Sequence, residues 1–230
     1  MKIAVIIPAY NEENAIGKVI TKVPQYIPDI GPVRIYVVDD GSADKTGDIA
    51  LKAGAHVVRH AINLGVGATT ITGMQAALCD GADILVTLDG DGQHDPTEIE
   101  ALVTPIAEND VDFVIGSRFL KKPNKQTPKI RIVGNRIMNI ITFLFYRVWI
   151  SDTQSGYKAF SAKTASRMHL SFFGYEICSE MIGEIRRLKL TYQEVPIKAI
   201  YSQYSLKKGQ SALNGVNILL RMITRLILGK

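Results

Sequence analysis

Residues 87–96 read TLDGDGQHDP, directly behind the apolar residues Ile84, Leu85 and Val86. A strand that ends there delivers Asp89 and Asp91 at its carboxyl end, on a turn whose glycines, Gly90 and Gly92, admit close neighbours. Two carboxylates one residue apart repel each other unless a cation lies between them. With the amide oxygen of Gln93 they form an all-oxygen donor set, which suits Mg2+ or Mn2+ shared with a ligand's phosphates better than zinc. The plain alternative is an ordinary polar turn, since Asp and Gly are turn residues in any case. A calcium loop is a further rival, because Asp89, Asp91 and Glu100 fall at positions 1, 3 and 12 of the EF-hand count. That match breaks at His94, where the loop needs glycine, and at Pro96, and a strand rather than a helix leads in. Asp95 is placed to cap a helix that opens at Pro96.

Three other places carry comparable chemistry. Asp39 and Asp40 close the run VRIYVV and precede Gly41 and Ser42, where an acidic side chain accepts hydrogen bonds from a ribose or a base in nucleotide-binding α/β folds. Arg118, behind Gly116 and Ser117, is a planar cation fitted to phosphate or carboxylate. Lys207 and Lys208 stand before Gly209 and offer similar charge, or simply a solvated basic run. The stretch GVGATT at 65–70 imitates a dinucleotide fingerprint but has Thr70 in place of the third glycine and no acidic ribose partner at the right distance, so a dinucleotide cofactor is not expected.

The elements that must position these residues alternate in type. Apolar runs at 3–8, 33–40, 56–60, 84–89 and 111–118 are separated by helical patterns at 11–26, 43–53, 67–78 and 96–107, the βαβα rhythm of a mostly parallel sheet with helices on both faces. Ligands of such sheets sit beyond the carboxyl ends of the strands, and PAYNEE, DDGS, DGDGQ and GSR all follow a strand. Downstream, a helix is expected at 176–188 and a strand at 190–200.

Charge divides the chain. Residues 1–117 hold 7 Lys+Arg and 17 Asp+Glu, a balance of −10, whereas residues 118–230 hold 20 Lys+Arg and 5 Asp+Glu, a balance of +15. The basic half points to an anionic partner, phosphate or a membrane surface. Nucleic acid is not expected, because no recognition signature is visible and the basic runs lack interleaved aromatics. Cys79 and Cys178 stand far apart without metal-binding spacing, and no signal-like segment opens the chain; a reducing, cytoplasmic setting is expected.

Residues 121–131 read as a mobile basic loop. In 132–150, Asn135, Asn139, Thr142 and Tyr146 share one helical face while Ile137, Met138, Ile141, Phe145 and Trp149 lie elsewhere, the pattern of an amphipathic helix. The stretch 213–230 repeats it with Asn214, Asn217, Arg221 and Arg225. Neither gives 18 clean apolar residues, so no membrane-spanning helix is expected. Both helices either pack on the protein's own core or lie in a membrane interface.

Taken in order, PAYNEE, VVDDGSADKT, NLGVGA, LDGDGQHDP, GSR, DTQSGYKAF and VPIKAI resemble the family 2 glycosyltransferases of GT-A fold, in the branch of dolichol-phosphate mannose synthases and polyprenyl-phosphate sugar transferases. The likeness covers roughly residues 3–212, which are expected to form one catalytic domain followed by the helix at 213–230. It implies that Pro8, Tyr10, Glu12 and Asp39 hold the nucleoside, with Asp40, Gly90, Lys207 and Lys208 also at the nucleotide sugar. Asp89, Asp91 and Gln93 would meet metal and diphosphate, and Arg118 would face phosphate or sugar. Asp152 would lie near the acceptor in a positioning role. The implied reaction moves a sugar from GDP-mannose or a UDP-sugar to dolichyl or polyprenyl phosphate with inversion, by a peripheral protein on the cytoplasmic face of a membrane. Leu206 and Ala212 stand where the mannose synthases carry arginine and lysine, which weakens the case for GDP-mannose. Two other readings compete: a soluble transferase of the same fold acting on a saccharide or protein hydroxyl, or a nucleotidyltransferase, and a non-catalytic module that binds nucleotide sugar or calcium.

Overall fold

A computed structural model describes residues 1–121 and 127–201. In chain order the elements are β1 (Ile3–Ala9), α1 (Ile16–Lys22), β2 (Tyr26–Ile27), β3 (Gly31–Asp39), α2 (Thr46–Lys52), β4 (His56–Arg59), α3 (Val66–Cys79) and β5 (Ile84–Thr87). A 3-10 turn at Pro96–Glu98 leads into α4 (Ile99–Ala107), and then come β6 (Phe113–Ser117), α5 (Lys129–Tyr146), β7 (Lys158–Ser161), α6 (Ala162–Ala165), α7 (Ile177–Leu188) and β8 (Tyr192–Pro196).

One sheet carries everything, in the order β2-β3-β1-β5-β7-β6-β8, with β4 paired to β3. β1 runs parallel to β3 and β5, β3 parallel to β4, and β6 parallel to β8. The central strands β1 and β5 are apolar without alternation because helices cover both faces. On one face, Ile16, Val19 and Ile20 of α1, Ala50 of α2 and Leu102 and Val103 of α4 pack on Val5, Ile7 and Val86. On the other, Met74 and Ala77 of α3 and Ile177, Met181, Ile182 and Ile185 of α7 pack on Ile6, Leu85, Phe113 and Phe160.

β7 escapes the βαβα reading. It lies antiparallel between β5 and β6, pairing Val86 with Ala159 and Val114 with Ala159. Its four residues, Lys-Ala-Phe-Ser, have too little apolar character to announce a strand, and burial on all sides supplies what propensity lacks. This strand ties the DTQSGYKAF motif to the end of β5 that carries Asp89.

Two boundaries differ from expectation. α1 starts at Ile16 rather than at Asn11, because Asn11 adopts a left-handed φ of 53° and turns the chain before the helix begins. α5 starts at Lys129, inside the stretch read as loop, and stops at Arg147, whose φ of 57° ends the helix before Trp149. Lys207, Lys208 and the expected helix at 213–230 lie outside the described residues.

Candidate active site

Every polar cluster that follows a parallel strand reaches the same edge of the sheet. Pro8 sits at the end of β1 opposite Val38, and Ala9 opposite Asp39. The loops beyond are zipped together: Asn11 N–H donates to Ser42 Oγ at 2.9 Å, Ala43 N–H to Asn11 Oδ1 at 2.9 Å and Glu12 N–H to Thr46 Oγ1 at 2.7 Å. Glu12 is buried, whereas Tyr10 keeps 47% of its surface open above them.

The two acids at the end of β3 have different partners. Asp39 is fully buried; Oδ1 accepts from Ser42 N–H at 3.0 Å and Oδ2 from Arg59 Nε at 2.8 Å, and each oxygen keeps a lone pair. Asp40 is bonded to the protein itself. Its oxygens accept from Leu64 N–H at 2.9 Å and Gly65 N–H at 2.8 Å, and its Oδ1 also meets His60 Nδ1 at 2.8 Å, pinning the loop before α3. The glycines of GVGATT serve that same packing: Gly67 N–H donates to Phe173 O at 2.7 Å, and a Cβ on Gly65 would stand 2.4 Å from that oxygen. The close approach that glycine permits is to the protein's own backbone.

Asp89 and Asp91 follow β5 on a turn that requires Gly92 at a φ of 76°. Gly156 gives Asp89 its room, since a Cβ there would fall 2.3 Å from Oδ1 and 2.5 Å from Oδ2. Loss of hydration raises the pKa of Asp89 against the opposing charges of Arg118 and Lys158; burial, then the charge of Asp89, raises that of Asp91. Gln93 N–H donates to Asp91 Oδ1 at 2.9 Å and its side-chain amide donates to Oδ2. Gln93 Oε1 accepts from Arg131 Nη1 at 2.7 Å and keeps its second lone pair. The expected cap is present: Asp95 Oδ1 accepts from Thr97 N–H at 3.1 Å.

Arg118 and Asp152 form a buried, multiply bonded pair. Asp152 Oδ2 accepts from the Arg118 backbone N–H at 3.0 Å and from Nε at 2.7 Å, while Oδ1 accepts from Nη2 at 2.8 Å. Asp152 is fully buried and the Arg118 side chain is 17% exposed. Burial works against the arginine's charge, but the carboxylate outweighs it and the pKa is raised. Among the described residues, Nη1 of the guanidinium makes no hydrogen bond, a geometry that can accept an anion.

Four neighbours were not singled out by sequence reasoning. His94 is buried, its ring nitrogens make no hydrogen bond among the described residues, and Nδ1 stands 3.5 Å from Asp89 Oδ2. Burial and Arg118 lower its pKa to about 4, so the imidazole is neutral. Lys158, buried within β7, donates through Nζ to Ser155 O and opposes the negative charge of Asp89. Arg131 places its guanidinium 5.3 Å from the Tyr201 ring. Tyr175 keeps 44% of its surface open, and partial loss of hydration together with the charges of Asp89 and Asp91 raises its pKa. Spacing gave no sign of Arg131 or Tyr175, which come from a helix start and a loop of the second half.

The helix α5 is turned opposite to ordinary expectation. Asn135, Asn139 and Thr142 are buried, whereas Ile130, Val133, Ile137, Ile140 and Leu144 are 66, 54, 52, 50 and 58% exposed. Their spacing of 3, 4, 3 and 4 makes one continuous apolar stripe, with Lys129, Arg136 and Arg147 also exposed. Among the described residues no helix is long and apolar enough to cross a membrane.

These features agree with known proteins. The family model described as Glycosyl transferase family 2 matches residues 4–167. An uncharacterized protein of Methanocaldococcus jannaschii is 39% identical over 229 residues, 98% of this chain and 93% of that one. The UDP-N-acetylglucosamine–dolichyl-phosphate N-acetylglucosaminyltransferase of Methanococcus voltae is 38% identical over 96% of this chain and 94% of its own. The polyprenol monophosphomannose synthase of Mycolicibacterium smegmatis is 30% identical over 93% and 82%. Among solved structures, glucosyl-3-phosphoglycerate synthase from Mycobacterium tuberculosis, in complex with Mn2+, UDP-glucose and phosphoglyceric acid, aligns with a TM-score of 0.71 at 22% identity, covering 96% of this chain and 79% of that one. That likeness speaks for the fold, which is GT-A. With the family match spanning β1 through α6 and every strand-end cluster on one edge, the chain belongs to glycosyl transferase family 2 and is a glycosyltransferase.

Proposed function

We propose that the chain transfers a sugar, with inversion at its anomeric carbon, from a UDP-sugar to a polyprenyl or dolichyl phosphate lying at a membrane surface. The observation that carries this reading is the state of Asp152. A hydroxyl acceptor needs a base to take its proton. Asp152, the carboxylate beside Arg118, is fully buried with both oxygens committed to that arginine. Glu194, the next one along, accepts from Ser151 N–H at 2.9 Å. A lipid phosphate is already ionised near neutral pH and needs positioning by a cation more than deprotonation, which is what Arg118 offers.

The donor set fits a divalent ion. Two carboxylates one residue apart on the same turn, each unfavourable to the other's charge, gain by sharing a cation, and the imidazole of His94, which makes no hydrogen bond among the described residues and stands 3.5 Å from Asp89 Oδ2, supports a site that a bound group completes. Asp89 and Asp91, with the amide oxygen of Gln93, would hold Mg2+ or Mn2+. When bound, that ion neutralises the charge developing on the leaving diphosphate. Arg118 then orients the incoming phosphate, and the zipped loops around Asp39 and Glu12 support a nucleoside site beneath Tyr10. Lys158 tempers the repulsion at Asp89 from behind. For the donor, the support comes from the relative named for UDP-N-acetylglucosamine, 38% identical, against 30% for the monophosphomannose synthase, together with Leu206 and Ala212.

The exposed stripe of α5, flanked by basic residues, is suited to the boundary between lipid headgroups and acyl chains, where an acceptor phosphate is found. The decisive assay incubates the protein with Mn2+ or Mg2+, polyprenyl phosphate and a panel of radiolabelled UDP-N-acetylglucosamine, UDP-glucose and GDP-mannose, then extracts with organic solvent. Label from UDP-N-acetylglucosamine is expected in the organic layer. Transfer only to a water-soluble saccharide or protein would overturn the reading. Co-sedimentation with anionic vesicles, lost on Ile137→Glu with Leu144→Glu, tests the surface contact separately.

A further inference from the structure

The inward face of α5, which packs on α7, carries two asparagines where a packed helix ordinarily presents Leu or Ile. Both are buried, so what they bond must be worth their desolvation. Asn135 Nδ2 and Asn139 Nδ2 both donate to Ser151 O, at 2.9 and 2.7 Å. Asn139 Oδ1 accepts from Thr153 N–H at 3.1 Å and from Thr153 Oγ1 at 2.9 Å. Asn139 therefore grips the residues immediately before and after Asp152 with opposite ends of one amide. Asp152 in turn holds Arg118 by its backbone N–H, its Nε and its Nη2. The other side of the same segment is fixed as well: Glu194 accepts from Ser151 N–H at 2.9 Å, and the Ser117 and Ser151 hydroxyls meet at 2.6 Å.

We propose that Asn139 is a positioning residue for the transfer reaction: it sets the Ser151-Asp152-Thr153 segment, and through Asp152 it fixes where the Arg118 guanidinium stands. The reason for so much polar investment is geometric. Each carboxylate oxygen must meet a defined N–H of one planar fork, and a freely pivoting Asp152 would let the fork swing by an ångström or more. Misplacement on that scale costs on the order of 100-fold in rate. An asparagine is suited to the task because it alone among small side chains donates and accepts from one rigid plane, whereas an apolar residue of the same size would leave Thr153 N–H without that acceptor. The helix that presents the exposed apolar stripe is thereby also the clamp on the reactive arginine. The catalytic part of this inference rests on the function proposed above.

Two readouts separate the inference from that function. The first uses the full chain labelled with 15N-arginine and follows the Nε–H of Arg118, assigned by its loss in Arg118→Lys. In the unaltered protein this proton is expected to exchange slowly with solvent because Asp152 accepts it. Asn139→Ala is expected to move the resonance and speed its exchange by tenfold or more, about the effect of losing a single well-placed hydrogen bond. Should Asn139→Ala fail to fold, Thr153→Val removes only the hydroxyl contact and is expected to speed exchange in the same direction, more weakly. The second readout is turnover with UDP-N-acetylglucosamine and polyprenyl phosphate. Asn139→Ala should lower kcat on the order of 10- to 100-fold with little change in UDP affinity, and the same substitution in an Arg118→Lys background should cost far less. An unchanged Arg118 resonance in a folded variant, or a loss of turnover equal in both backgrounds, overturns the inference. If the unaltered protein transfers no sugar to lipid, the proposed function falls while the exchange measurement still decides what Asn139 holds.

Discussion

The narrowest test of the acidic site is to fill the space that Gly156 leaves open. A Cβ built there stands 2.3 Å from Asp89 Oδ1, 2.5 Å from Oδ2 and 2.6 Å from Cγ, where ordinary contact begins at 3.4 Å. The carboxylate must retreat by about 1 Å, a misplacement of the size that costs on the order of 100-fold in turnover. Gly156 does not use a left-handed backbone, so alanine meets no conformational penalty there. What it meets is the far end of a side chain that keeps 40% of its surface open and can turn away. Gly156→Ala should therefore cost stability only as modest overpacking does, about 1–3 kcal/mol, while Mn2+ affinity and sugar transfer fall together to the level of Asp89→Ala. Titration calorimetry with Mn2+ in the presence of UDP, thermal unfolding and the extraction assay measure the three quantities on one preparation. Full turnover and unchanged Mn2+ affinity in Gly156→Ala would refute the role given to Asp89; gross unfolding would refute the steric reasoning.

Arg118→Ala strands a fully buried Asp152, which should destabilise the fold by about 3–5 kcal/mol, and Arg118→Ala combined with Asp152→Ala should recover part of it; equal melting temperatures for the single and double variants would contradict this. Asp89 and Asp91 both have raised pKa values, so in the folded chain they hold protons above the ordinary value of 3.8. The stability tied to those protons is present at low pH and lost as pH rises through the raised values, where a divalent ion replaces them. Mn2+ should thus raise the melting temperature more at pH 7 than at pH 5, and a pH-independent increment would count against the pair as its ligands. Gly134, exposed on α5 with nothing within 4 Å of an added Cβ, should tolerate alanine with a gain of about 0.5–1 kcal/mol and unaltered turnover; a destabilised variant would mean that the helix does not run as described.

The first half of the chain was legible because its two periodicities alternate without interruption. Buried parallel strands such as Ile3–Ala9 have no polar choice, and the residues after each strand are freed from packing, so DDGS, DGDGQ and GSR stand out as chemistry. Beyond Arg118 and the Asp152 that the resemblance implied, what sequence could not supply is how the second half reaches the same edge. β7 is four residues of mixed character held by neighbours on both sides, and only its pairing with β5 brings Gly156 against Asp89. Asp40 shows what position at a strand end does not reveal: three donors of the protein converge on its carboxylate and pin the loop before α3. α5 shows why amphipathicity alone does not assign faces. Periodicity identifies two stripes but is silent on which one the protein covers; that choice is made by Ser151 O and Thr153 N–H, which need partners that Ile or Leu cannot offer. Once the asparagines are drawn inward to them, the apolar stripe has no position left except the surface, and a single local demand for hydrogen bonds orders the reactive loop and exposes the face suited to lipid.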